Sequence, residues 1–133
     1  MRSFFILSIL TIIVDAAINQ EALQIVQNLE NKIGEQISQG NTEGVTAMFA
    51  KDFKSYECGG ITLDRQGIVA KMMKRQEEIP EPVYVEVKFV SDSEINYLLD
   101  EKFKTKETLS TNNTMKKIDG KWVAAYGDIL KCK

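Results

Sequence analysis

Two cysteines, Cys58 and Cys132, and the complete lack of histidine bound the chemistry open to this chain of 133 residues. Without histidine there is no Ser-His-Asp or Cys-His nucleophile, no imidazole metal ligand and no histidine pH switch. Acid–base work would fall to a carboxylate kept dry enough to take a proton, with a donor nearby for a developing oxyanion. The end of the chain offers both groups. Period-2 alternation from Lys121 puts Trp122, Ala124, Tyr126 and Asp128 on one face, and Val123, Ala125, Gly127 and Ile129 on the other. Glu57 and Asp52 have no partner that the sequence identifies. Met72 and Met73 read as core. No metal site or cofactor motif is expected.

The charge balance is 17 Lys+Arg against 19 Asp+Glu, a net −2. Nucleic acid would need a concentrated basic surface, and Lys102, Lys104, Lys106, Lys116 and Lys117 are too few to make one. They read as solvated or edge-protecting charge. A hydrophobic content of 44% suits one globular domain and excludes a disordered chain.

The N-terminus reads as an address. Met1-Arg2-Ser3 is followed by an apolar run from Phe4 to Val14, which as a helix would span about 16 Å, half a bilayer core. Val14-Asp15-Ala16-Ala17 then supplies the small residues of a cleavage site. Residues 1–16 are thus expected to be a secretory signal peptide and residues 17–133 the mature, secreted domain. No second apolar run reaches spanning length, so no membrane association is expected after cleavage. In an oxidising compartment the two cysteines are expected to bridge; their spacing is not C-x-x-C and nothing activates either thiol. Asn112-Asn113-Thr114 is the only N-x-S/T sequon, a glycosylation site if it lies on an exposed loop.

The elements that must position these residues follow from periodicity. Ala22, Ile25, Val26, Leu29, Ile33 and Ile37 form one face of a helix over 20–39, with Glu21, Gln24, Gln27, Glu30, Lys32 and Gln36 opposite and Gly40 closing it. Asn41 or Thr42 caps a second, short helix carrying Val45, Met48 and Phe49. A strand over 53–58 turns at Gly59-Gly60 and resumes at 61–63. Asp64 caps a third helix, which Pro80 and Pro82 end. Antiparallel sheet follows. Val83, Val85, Val87 and Phe89 alternate with Tyr84, Glu86, Lys88 and Val90, and Ile95, Tyr97 and Leu99 begin the return strand. The next turn falls at 104–106 or, preferably, at 110–113, which would put the sequon on a loop tip. Asp119-Gly120 is a hairpin turn, and the last strand runs from Lys121 to about Lys131.

Helix, short helix, hairpin, helix and a meander of long strands, with Asp119-Gly120-Lys121-Trp122 opening the last of them, resembles the nuclear transport factor 2-like superfamily, and within it the SnoaL-like and ketosteroid-isomerase-like members, particularly small secreted nematode versions. The resemblance covers the whole mature chain. It implies an α+β fold in which three N-terminal helices pack in a curved, mostly antiparallel six-stranded sheet, a cone-shaped roll of the cystatin kind. It further implies that the first and last strands lie parallel and adjacent, bringing Cys58 and Cys132 within bridging reach. Trp122, Ala124, Tyr126 and Asp128 would then line an apolar cavity, with Tyr56 and Phe53 as further lining residues. Asp128 matches the position of the SnoaL-like acid/base aspartate, with Tyr126 or Tyr56 as donor. Two departures count against catalysis: the histidine partner of that aspartate is missing, and the first helix shows no tyrosine on its inner face. The favoured expectation is a non-catalytic domain that binds a small hydrophobic ligand, forms a homodimer, or both. The alternatives are a small lyase or isomerase, and an extracellular protein-interaction module.

Overall fold

A computed structural model describes residues 17–75 and 80–132; the signal peptide expected over residues 1–16 lies outside the described residues. The helices start where short polar side chains can cap them. Asn19 accepts from the Ala22 amide at 3.0 Å and opens α1 (Gln20–Ser38). Asn41 accepts from Gly44 and opens α2 (Thr42–Thr46), and Asp64 accepts from Gly67 and opens α3 (Arg65–Lys74). Gly40, at φ +66°, supplies the left-handed residue after α1.

The strands are β1 (Phe49–Tyr56), β2 (Thr62–Asp64), β3 (Glu81–Ser91), β4 (Glu94–Lys102), β5 (Thr108–Ile118) and β6 (Lys121–Ile129). They form one sheet in the order β2-β1-β6-β5-β4-β3, with β1 and β6 parallel and every other pair antiparallel. This is the expected α+β roll. Cys58 and Cys132, just beyond the adjacent ends of β1 and β6, are bridged with their Cα atoms 5.6 Å apart. Ala22, Val26, Leu29 and Ile33 of α1 pack on the inner face of the sheet, against Val87, Ile95, Tyr97, Leu99 and Met115. The segment before α1 also joins the sheet: Ile18 bridges Val87 and the Asn19 amide donates to its carbonyl, covering part of the free edge of β3.

Three expectations need correction. Met48 and Phe49 are not helical; β1 begins at Phe49, whose ring packs edge-on to Phe53 at 5.0 Å. The turn between β4 and β5 falls at 103–107, where Phe103 donates to Glu107 and Lys106 takes φ 69°, so Ser110 to Asn113 lie within β5. The register that buries Met115 opposite Ile95 also sets Asn112 opposite Leu98, mid-strand and away from any loop tip.

The third correction concerns faces. Met115 pairs with Ala124 and Thr114 with Tyr126, so Ala125 is an extra residue, a β-bulge. Trp122 and Ala124 therefore share the inner face with Met115. Beyond the bulge the alternation inverts, and Tyr126 and Asp128 pair with Thr114 and Asn112 on the outer face. A second bulge, at Val85, has the opposite consequence. Tyr84 pairs with Leu99 and Glu86 with Leu98, so Tyr84 points inward and Val85 is left exposed.

Candidate functional site

Inside the sheet, beside the apolar stripe of α1, lies a buried polar group. Glu30 projects from α1 and its Oε2 accepts a hydrogen bond from the Tyr84 hydroxyl at 3.0 Å. Its Oε1 is buried without a partner. Burial pushes the carboxyl up to about 7; the Tyr84 and Tyr97 hydroxyls oppose that shift and the Glu101 charge adds to it. Tyr97, 8% exposed, and Tyr84 are both pushed upward, first by burial and then by the Glu30 charge. Glu101, on the inner side of β4, is also raised by burial, although Lys71 of α3 and Arg75 just after it draw it down. Lys71 is itself paired with Glu57, which accepts from Ser55 at the end of β1. A carboxyl that changes charge near neutrality, flanked by two phenols, can accept a donor from a ligand or exchange a proton with one.

The other flank of α1 is different. Ile25, Leu29, Met48 and Trp122 floor an open groove of about 640 Å³, rimmed by Asn28, Lys32, Gln36, Gly120 and Lys121. No group of three or more His, Cys, Asp or Glu side chains able to hold a metal occurs among the described residues.

The residues singled out from sequence are dispersed by this geometry. Phe53 is buried in the core and Ala124 packs against it, while Trp122 lies in the groove and stacks at a tilt on Phe89, 6.4 Å away. Tyr56, Tyr126 and Asp128 stand together on the outer face, with the two rings 5.5 Å apart and Tyr56 43% exposed. Asn112, also outward, accepts from Asn96 at 2.7 Å. The sequence pattern does not announce the interior group, because it places Glu30 on the polar side of α1. Its spacing carried a signal: it follows Val26 by four and precedes Ile33 by three and Ile37 by seven, which places it within the apolar sector rather than opposite it.

Residues 23–133 match the family model of the NTF2-like domain. The chain belongs to the NTF2-like domain family. No curated protein matches it. Solved structures similar to this NTF2-like chain include a domain of unknown function with a cystatin-like fold from Nostoc punctiforme, at TM-score 0.65 and 14% identity, covering 86% of this chain and 80% of that one. An NTF2-like protein of unknown function from Silicibacter pomeroyi gives 0.63 and 13%, covering 82% and 94%. An NTF2-like protein from Cytophaga hutchinsonii gives 0.60 and 17%, covering 86% and 99%. At such identities the likeness is one of fold, and the function of this NTF2-like domain has to be argued from its own residues.

Proposed function

We propose that this NTF2-like domain is a secreted, non-catalytic binding protein that takes a small, mainly apolar ligand in its interior, with the ligand's one donor group on Glu30. The observation that carries the reading is the orphaned Oε1. A buried acceptor without a partner costs roughly 1–3 kcal/mol, more if charged, and a ligand N–H or O–H would remove that cost. Tyr84 holds the carboxyl through its other oxygen, Tyr97 lies close by, and the apolar residues of α1 and β4 supply the remaining contact. The bridged cysteines support secretion, and among the described residues no helix is long and apolar enough to cross a membrane. Self-association through the outer sheet face fits less well, since it would bury Asp128, Asp100 and the Asn96–Asn112 pair.

Native mass spectrometry of folded, secreted protein tests the reading. A retained small molecule in the wild type that is lost from Glu30→Gln supports it. Wild-type protein of bare polypeptide mass (or with an adduct indifferent to Glu30) opposes it.

One observation favours a second reading, a lyase or isomerase. A carboxyl held at about 7 beside phenol donors is placed to shuttle a proton at neutral pH. In that case Glu30→Gln would abolish turnover while the ligand still bound.

A further inference from the structure

We infer that the open groove on the far flank of α1 is a second binding site, for a soluble single-chain amphiphile with a carboxylate head. The groove and the Glu30 group lie on opposite sides of the same buried stripe. Ile25, Leu29, Lys32 and Gln36 face the groove at helical spacing, whereas Glu30 looks toward β3 and β4. Its floor of Ile25, Leu29, Met48 and the Trp122 ring suits an alkyl chain, and its volume of about 640 Å³ lies within the range of small-ligand sites. Its charge has one sign. Lys32 and Lys121 stand on the rim with the amides of Asn28 and Gln36, and no carboxylate lines it. Among the described residues neither lysine forms an ion pair; Lys121 reaches only the Ala47 carbonyl, at 3.5 Å. Two uncommitted ammonium groups above an apolar floor complement an anionic head on an apolar tail, and disfavour a cationic one.

The chain supplies its own reporter, because Trp122 is the only tryptophan. Emission is followed while decanoate, decanol or decylamine is added below the concentration at which it forms micelles or separates from solution. Decanoate is expected to give a saturable shift, decanol to bind about tenfold more weakly, and decylamine to give none. Lys32→Glu combined with Lys121→Glu should weaken decanoate about tenfold with an unchanged circular dichroism spectrum, since both residues are exposed. Glu30→Gln should leave decanoate binding intact, which separates this site from the interior one. Equal affinity for decanol, indifference to the charge reversals, or the absence of saturation would overturn the inference. Loss of decanoate binding in Glu30→Gln would also overturn it, by reducing two sites to one. Co-sedimentation with phosphatidylglycerol vesicles would reassign the groove to a membrane surface.

Discussion

Two groups of one carboxylate and two tyrosines occupy the opposite faces of this sheet. On the outer face Asp128 stands with Tyr126 and Tyr56; on the inner face Glu30 stands with Tyr84 and Tyr97. The functional groups are alike and their circumstances are not. Outside, the carboxyl is partly exposed and its neighbour Tyr56 reaches the surface. Inside, one carboxyl oxygen is held by a phenol, the other has no partner, and the group changes charge near pH 7. Residue type therefore does not make the site. The face does, and two single-residue bulges decide the face.

The sharpest way to break the contrast is to remove a bulge. Deleting Ala125 would restore simple alternation and turn Tyr126 and Asp128 inward. Burying an unpaired aspartate should cost about 5 kcal/mol or more, enough to unfold a marginal domain in urea melts. Next in size is the staple that fixes β1 and β6 beyond that bulge. Serine at both Cys58 and Cys132 should cost about 4 kcal/mol, from the entropy of a 74-residue loop, in the same melts.

The third effect is a pH dependence. The Glu30 carboxyl ionises near its ordinary 4.5 in the unfolded chain and at about 7 in the folded one. Between those values the folded state holds a proton that the unfolded state has lost, so stability falls as pH rises. The fall should total about 3 kcal/mol from pH 4.5 to 7 and level off on either side, with Glu101 adding to it in the same direction. Glu30→Gln should flatten the profile. Tyr84→Phe comes next: it removes the bond that opposes the raised pKa, so the midpoint should move above 7 and stability drop by about 1 kcal/mol. The smallest effect belongs to the outer group. Asp128→Asn should change stability by less than about 0.5 kcal/mol and leave ligand retention untouched.

Much of the scaffold was legible in the sequence. Asn41 or Thr42 and Asp64 read as caps, Gly40 as a terminator and Asp119-Gly120 as a hairpin, each on local chemistry that tertiary contacts leave intact, while the pairing of the two cysteines rests on their count and the expected compartment. The faces were less legible. The run from Val83 to Val90 looked like unbroken alternation, which hid Tyr84 among outward residues, and the same assumption carried Asp128 inward with Trp122. A bulge leaves no mark on a period-2 pattern; it is set by the partner strand, here by Leu98 and Leu99 for Val85 and by Thr114 and Met115 for Ala125. Glu30 was missed for a related reason. A glutamate beside an apolar stripe reads as solvated until Tyr84 and Tyr97 arrive from the sheet.

The position of β6 has a consequence for biosynthesis. Of the six strands β6 leaves the ribosome last, yet it is inserted between β1 and β5, so the middle of the sheet waits on the last of them. Until then a nascent chain holds two separate fragments, β2–β1 and β5–β4–β3, each with a raw edge. A stop codon soon after Gly120 would leave both edges open to other chains, a hazard greater than the loss of one strand suggests.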